Sequence, residues 1–493
     1  MSDSCSLSVE FARSCPFRPT VGQIEAMDAI SAFIDSDAPR KAFVLNGYAG
    51  TGKTTLVGVL VRAMAATGRR VVLLAPTGRA AKVFSLYAGV TAYTIHKRIY
   101  RQKSVLDQYV FSLDRNICEN TLFLVDEASM ISDSGLSGAM FGIGRLLDDL
   151  VSYVYSACGC SMLLLGDNAQ LPPVGELRSP ALDAEVLRSY GLSVTSFTLT
   201  EVVRQDNESG ILHNATLIRN LLASVPASDC CGVTPPRFRF ALKGYADVRS
   251  ICGSELVGTL SDCYAKDGTG GTIVLCRSNR RAIVYNDGIR RTILDREDEL
   301  TRDDGVMIVK NNYFWTEREQ AAASAAGMPL SGIPPFIANG DMAVVRRVRR
   351  VRELYGFRFA TALLTFPDYD DYEIEATVML DTLHSEAPSL TREQQDLLFN
   401  NVMEDYSDIR DRRKRMLELR ENTYFNALQI KYAYAVTCHK AQGGQWSNVF
   451  IDQGYVPDGG QDAEYFRWLY TALTRATGTV YLVNWPADDL ILS

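Results

Sequence analysis

The chain has 493 residues, 47% of them hydrophobic, so it can bury several cores, and its length suggests roughly three domains. No apolar run reaches the roughly 18 residues of a membrane span and the N-terminus carries no signal-peptide pattern, so a soluble, cytoplasmic protein without a membrane partner is expected. The formal net charge of −7 does not advertise nucleic-acid binding, but it does not exclude it, because basic residues can line one groove while acids cover the rest.

Residues 42–45 (Ala-Phe-Val-Leu) read as a short buried strand, and residues 55–66, beginning at Thr55, read as a helix from their Ala, Leu and Met content. Between them Gly47, Tyr48, Ala49, Gly50, Thr51, Gly52, Lys53 and Thr54 form a complete phosphate-binding loop in the strand-to-helix context it needs. The glycines let backbone N–H groups approach phosphate oxygens, and the helix dipole adds positive charge there. Lys53 can reach the β- and γ-phosphates of ATP, and the Thr54 hydroxyl is a candidate Mg²⁺ ligand. An ordinary glycine turn would leave Lys53 at a helix N-terminus unexplained.

Residues 71–75, 121–125 and 161–165 read as further strands rich in Val and Leu, separated by helical stretches, which points to a parallel α/β sheet covered on both faces. The second of these ends in Asp126 and Glu127. A carboxylate at the end of a buried parallel strand lies where ligands bind, so Asp126 can hold Mg²⁺ while Glu127 orients or deprotonates an attacking water. Helix capping by the pair is the alternative. The third strand leads into Gly166-Asp167-Asn168-Ala169-Gln170, where the Gln170 amide can bond a γ-phosphate or the attacking water, or merely belong to a turn capped by Asp167 and Asn168.

The same rhythm returns at residues 272–275, 432–436, 448–451 and 479–483, giving a second α/β lobe. It is interrupted from about 305 to 424 by short β-like pieces (306–309, 341–348, 357–364, 373–380) and a charged helical segment (391–420), the pattern of an inserted small β domain returning to the lobe near Leu428. Within it Arg346-Arg347-Val348-Arg349-Arg350-Val351-Arg352 reads either as an edge strand with solvated charges or as a phosphate contact. A shorter excursion spans 100–113. Eleven cysteines are scattered, and Cys158-Gly-Cys160 and Cys230-Cys231 lack a second pair at zinc-like spacing, so reduced thiols are expected.

These residues, in this order, resemble a superfamily 1 DNA helicase of the RecD/Dda-like branch. The resemblance implies two RecA-like P-loop NTPase lobes (1–99 with 114–205, and 206–304 with 425–493), a pin-like insertion at 100–113 with Tyr109 or Phe111 as candidate wedge, and an SH3-like insertion at 305–424. Gln23 sits where the family reads adenine, and Gln170 becomes the coupling glutamine. Pro76, Thr77 and Arg79 match a first DNA-contact motif, His96 a second, and Thr437 and His439 a further one in which Gln442 and Gly443 reach the nucleotide. Arg204 and Arg475 match arginines that complete the γ-phosphate site, a task suited to a planar, permanently charged fork. The implied activity is ATP- and Mg²⁺-dependent translocation on single-stranded DNA, 5′ to 3′, opening single-strand/duplex junctions, with replication or recombination proteins as partners. A non-motor DNA-dependent ATPase subunit of a recombination or repair complex is the rival; it could lack Arg475, Gln170 or Glu127, and all three are present. Residues 368–421 match no pattern.

Overall fold

The computed structural model describes residues 7–102, 111–135, 144–201, 209–224, 237–330, 332–334, 336–456 and 461–491. The apolar runs of the first 200 residues become β1 (Lys41–Gly47), β2 (Arg70–Ala75), β3 (Ala92–Thr94), β6 (Thr121–Val125), β7 (Ser161–Gly166) and β8 (Ser193–Leu199), which form one sheet in the order β3-β2-β6-β7-β1-β8. Every pairing in it is parallel. Side chains alternate across a strand, so Phe43, Leu45, Leu122, Leu124, Leu163 and Leu165 enter one core while Ala42, Val44, Phe123, Val125, Met162 and Leu164 enter the core on the other face. This is why the runs are apolar throughout. The edge strand β8 was not among the expected strands; its polar alternation, Ser-Val-Thr-Ser-Phe-Thr-Leu, hides it.

Between these strands, β4 (Tyr100–Gln102) and β5 (Phe111–Leu113) pair antiparallel as the base of a hairpin. The Tyr100 hydroxyl, in a buried ring, donates to Asp149 at 2.7 Å and ties that base to the helix Leu146–Val154. The candidate wedge Tyr109 lies outside the described residues, as does the side chain of Phe111.

The chain then forms β9 (Phe240–Ala241), which pairs with the C-terminal strand Leu490–Ile491, and enters a second sheet at β10 (Val248–Ile251) and β11 (Thr272–Cys276). It leaves that sheet for a closed barrel made of β12 (Gly305–Ile308), β13 (Met342–Leu354), β14 (Phe357–Phe366), β15 (Tyr372–Met379) and β16 (Leu428–Tyr432), then returns as β17 (Ala435–Thr437), β18 (Trp446–Asp452) and β19 (Ala476–Val483). The second sheet runs β10-β19-β18-β11-β17, again all parallel. The fold is thus α/β with two parallel-sheet lobes and an inserted small β barrel.

The expected strand at 432–436 is corrected by this topology. Residues 428–432 pair with β12 and β15 and close the barrel, and the chain rejoins the lobe only at Ala435, so the barrel extends beyond residue 424. Both strands are buried, so the apolar run Tyr432-Ala433-Tyr434-Ala435-Val436 carries no mark of the break. Tyr434 makes it: its carbonyl accepts from the Val274 N–H at 2.9 Å and its hydroxyl donates to Asp304 at 3.0 Å. The charged segment is two helices, Arg392–Glu404 and Arg412–Glu421, which pack Leu398, Val402 and Leu419 onto Phe357 and Phe359 at one end of the barrel. Barrel and second lobe share one apolar core, in which Val274 and Phe450 lie with Val345 and Leu364.

The opposite end of the barrel rests on the first lobe at Gly78, where an added Cβ would fall 2.8 Å from Ala338 Cβ, 2.8 Å from Asp341 Oδ1 and 2.9 Å from the Tyr369 hydroxyl. Asp341 is fully buried there; Oδ2 accepts from the Ala338 N–H at 2.7 Å and the Tyr369 hydroxyl at 2.8 Å, while Oδ1 has no hydrogen-bond partner among the described residues. Burial raises its pKa to about 7, with the Ala338 and Tyr369 bonds and Arg79 opposing and Asp368 reinforcing. In the unfolded chain the group would titrate near 4. The folded chain therefore binds the extra proton between these values, and its stability falls as pH rises from about 4 to about 7. Asp341→Asn is expected to abolish this slope, gaining on the order of 2–3 kcal/mol over wild type between pH 5 and 7. Thermal midpoints of the two proteins across that range measure it, and parallel curves would contradict it.

Candidate nucleotide site and nucleic-acid interface

The phosphate loop follows β1 directly. Gly50 and Gly52 both have φ of 79°, a left-handed conformation that side chains disfavour, and Gly52 is the N-cap of the helix Lys53–Ala66. Gly47 must be bare because a Cβ there would lie 2.6 Å from Lys53 Cγ. The Lys53 ammonium crosses the loop and donates to the carbonyls of Gly47 and of Tyr48, the latter at 3.1 Å. Gln23 is buried and its amide is engaged at both ends: Oε1 accepts from the Thr20 N–H at 3.1 Å and Nε2 donates to the Thr51 carbonyl at 3.1 Å. In this structure Gln23 braces the loop. Thr54 is half-buried and Thr55 exposed on the first turn of the helix.

Two strands away, β6 delivers Asp126, whose N–H donates to the Leu74 carbonyl at 2.9 Å. Its Oδ1 accepts from the Glu127 N–H at 2.9 Å, and Glu127 itself is held at φ 50°. A left-handed glutamate is a strained one, of order 1–3 kcal/mol, and such strain clusters at functional sites. Burial and then the neighbouring Glu127 charge push the Asp126 carboxyl well above the ordinary range, while the Glu127 N–H and Lys53 pull it down. A cation beside Asp126 relieves both unfavourable causes, so a carboxylate and the Thr54 hydroxyl are a fitting donor set for Mg²⁺. At the carboxyl ends of the adjacent strands β1, β6 and β7, Asn46 Oδ1, Ser129 Oγ and Gln170 Oε1 are buried without hydrogen-bond partners among the described residues. Unpaired buried polar atoms are rare, and three along one sheet edge mark a place built for polar ligand atoms.

The second lobe reaches this edge through the helix Ala463–Leu473. The Ala49 N–H of the phosphate loop donates to the Tyr470 hydroxyl at 2.9 Å, and that hydroxyl donates to Asp167 Oδ2 at 2.7 Å. Beside it the Leu171 N–H donates to the Thr471 hydroxyl at 2.9 Å, and Gln442 Nε2 donates to the Leu171 carbonyl at 2.9 Å. Arg219 lies over the Tyr48 ring at 4.3 Å. Tyr470→Phe leaves the Ala49 N–H and Asp167 Oδ2 without this partner, which is expected to cost about 1–3 kcal/mol. A lowered thermal midpoint together with a raised KM for ATP is the expected signature, and an unchanged pair of values would contradict the bond.

Arg475 is buried, donating to the Thr471 carbonyl at 3.1 Å, the Gly444 carbonyl at 3.4 Å and the Thr474 hydroxyl at 3.2 Å; no ion pair of Arg475 occurs among the described residues. These contacts lie within its own lobe and do not include the phosphate loop. Arg204 lies outside the described residues.

The residues expected to contact DNA frame the junction of the lobes. Pro76 is half-buried at the end of β2, and the Thr77 hydroxyl caps the helix Gly78–Ala88 by accepting from the Ala80 N–H at 3.2 Å. Arg79 stacks on Trp446 at 4.4 Å and donates to the Gln445 carbonyl at 3.4 Å, across the lobes. Gly443, at φ 76°, packs against the same helix start, where an added Cβ would lie 3.3 Å from Ala80 Cβ. His96 lies 5.7 Å from the Tyr100 ring, and burial lowers its pKa to about 4; burial also lowers His439, against Glu464. Both imidazoles are shifted toward the neutral form, so they offer hydrogen bonds more than charge. Thr437 is half-buried at the carboxyl end of β17.

Sequence reasoning missed Tyr470, Asp167, Thr471, Arg219 and Trp446. Tyr470 and Thr471 stand shortly before Arg475 in the chain, whereas nothing local distinguishes Arg219 on the helix Gly210–Ser224.

Two parallel-sheet lobes, a phosphate loop on the first and a barrel inserted in the second define a two-lobed P-loop NTPase. Residues 20–221 match the AAA domain family model, and residues 432–483 match the UvrD-like helicase C-terminal domain. The chain is 29% identical over 187 residues to the ATP-dependent RecD2 DNA helicase of Deinococcus radiodurans (38% of this chain, 22% of that protein). It is 29% identical over 159 residues to the ATP-dependent DNA helicase dda of Enterobacteria phage T4 (31% and 33%). The matches therefore span a third or less of either helicase. An uncharacterized protein of Acanthamoeba polyphaga mimivirus is 22% identical over 505 residues, covering 89% of this chain and 94% of that one. Among solved structures, the Pif1 helicase from Bacteroides in complex with ADP-AlF3 and ssDNA aligns over 97% of this chain and 95% of its own, at 15% identity and a TM-score of 0.47. By its sequence matches the chain is similar, over about a third of its length, to RecD2 and dda, two ATP-dependent DNA helicases.

Proposed function

We propose that the chain is an ATP-dependent DNA helicase that moves 5′ to 3′ on single-stranded DNA. The observation that carries this reading is the hydrogen-bonded path from Ala49 through Tyr470 to Asp167, which joins the phosphate loop to the second lobe and to the strand that precedes Gln170. A nucleotide bound on that loop alters the contacts by which the lobes hold each other. Lys53 and the loop amides hold the phosphates, and Thr54 and Asp126 would hold Mg²⁺, which would supply neutralising positive charge at the phosphates. Glu127 and Gln170 position the attacking water; Arg475, with Arg204, stabilises the charge that develops on the transferred phosphoryl. Opening and closing of the lobes shifts Thr77, Arg79 and His96 relative to Thr437 and His439, so a strand held through its phosphates moves in steps.

Single-stranded DNA is expected to stimulate ATP turnover, and a duplex with a 5′ tail is expected to open where 3′-tailed and blunt duplexes do not. Equal turnover with and without DNA would sink the reading. Stimulation without unwinding would favour a non-motor ATPase subunit, and opening from a 3′ tail alone would reverse the polarity.

A further inference from the structure

The Gln23 amide, which the family resemblance assigns to the adenine edge, is spent on the protein itself. Thr20 and Gln23 cap the helix Val21–Asp35 reciprocally: the Thr20 hydroxyl accepts from the Gln23 N–H at 3.3 Å, and Gln23 Oε1 accepts from the Thr20 N–H at 3.1 Å. The other end of the amide, Nε2, donates to the Thr51 carbonyl at 3.1 Å. Thr51 is fully buried between Gly50 and Gly52, and its hydroxyl donates to the Tyr48 carbonyl at 2.8 Å. The amide edge that could read a base therefore bridges a helix cap and the phosphate loop. Gln23 is only 1% exposed, so its second lone pair and second N–H are covered as well. Turning it toward a base would break both bonds, one of them to a buried carbonyl, and such groups are costly to leave unpaired.

Beside this cap opens a cleft of about 610 Å³ lined by Arg18, Pro19, Thr20, Val21, Ile24 and Glu201. Its polar groups are committed to one another. The Glu201 carboxylate accepts from the Thr20 hydroxyl and, at 3.1 Å, from the Gly22 N–H, and these two bonds lower its pKa. What remains is the apolar surface of Pro19, Val21 and Ile24, the last two exposed on the first turn of the helix, and the exposed Arg18 side chain. Such a wall meets the face of a ring, and every base has that face. A site that reads a base edge works differently: its buried polar groups reject the wrong partner because they are left unpaired, whereas apolar contact discriminates weakly.

We infer that the site accepts purine and pyrimidine nucleoside triphosphates alike, with Gln23 as a positioning residue that holds the phosphate loop and the base resting in the cleft between Arg18 and Ile24 without its edge being read. The inference rests on the nucleotide-driven reading above and widens its substrate class from ATP to nucleoside triphosphates in general. Affinity then comes from the triphosphate, which all of them share and which Lys53 and the loop amides hold.

The test measures kcat and KM of the wild-type chain for ATP, GTP, CTP and UTP, each with Mg²⁺ and with and without single-stranded DNA. A bidentate amide–adenine pair discriminates against a wrong base by about 5–150-fold, so kcat/KM values within about fivefold of one another are expected, and a larger preference for ATP would overturn the inference. Gln23→Ala supplies the second arm. It loosens the loop whatever the base, so KM is expected to rise by the same factor for all four nucleotides while kcat changes less. A rise confined to ATP would make Gln23 a reader of adenine, and no change with any nucleotide would deny that it positions the loop; either result would overturn the inference. The wild-type comparison stands even where the variant fails to fold. The response to single-stranded DNA judges the helicase reading separately, because the ranking of the four nucleotides is read with and without it.

Discussion

Glu127→Gln is expected to lower ATP turnover by about 10²–10⁴-fold while leaving nucleotide affinity within a few-fold of wild type. The glutamate follows Asp126 at the carboxyl end of β6 and is held at φ 50°, so its carboxylate projects differently from that of Asp126 although the two residues are adjacent. Glutamine keeps the size and one acceptor oxygen but cannot take a proton from water. It also removes the negative charge that raises the Asp126 carboxyl, so Asp126 should hold a cation at least as well as before. Steady-state ATP hydrolysis and titration with a fluorescent ATP analogue measure the two quantities. Loss of both together would make Glu127 a part of the binding site, and retention of turnover would remove it from the chemistry.

Arg475→Ala is expected to cost about 10³–10⁵ in turnover, the range associated with an arginine that stabilises the transferred phosphoryl. The guanidinium is buried with two carbonyls and a hydroxyl and no carboxylate partner among the described residues, so its charge is not neutralised in place. A buried cation without an acid is costly unless an anion answers it. Alanine also leaves the Thr471 and Gly444 carbonyls unpaired, and Arg475→Lys separates the effects. Lysine keeps the charge yet lacks the planar fork, so it should restore the thermal midpoint more than the turnover. Full recovery of turnover by lysine would reduce Arg475 to a structural cation.

Much of the α/β fold was legible before the structure, because the signals were local. Buried parallel strands show as apolar runs; the phosphate loop shows because Gly50 and Gly52 need φ values that other residues resist and Gly47 must leave room for Lys53. The strands β8 and β16 were not legible, one because an edge strand is half polar, the other because barrel and lobe strands adjoin in one apolar stretch with no turn residues between them. The resemblance places Arg79 in a DNA-contact motif, and the stacking of its guanidinium on Trp446 cannot be read from either residue's neighbours.

The sequence by itself determined the chemistry that could be performed: a loop for phosphates, acids after a buried strand, and permanently charged arginines. Each depends on residues a few positions apart, where backbone geometry alone sets the distances. Only the tertiary structure decided how the two lobes are joined. The Tyr470 hydroxyl meets Ala49 across 421 positions and Asp167 across 303, and no periodicity or propensity acts over such separations. Packing of the helix Ala463–Leu473 against the sheet edge places that one oxygen between loop and carboxylate, because all three groups are polar and each needs a partner when it leaves water.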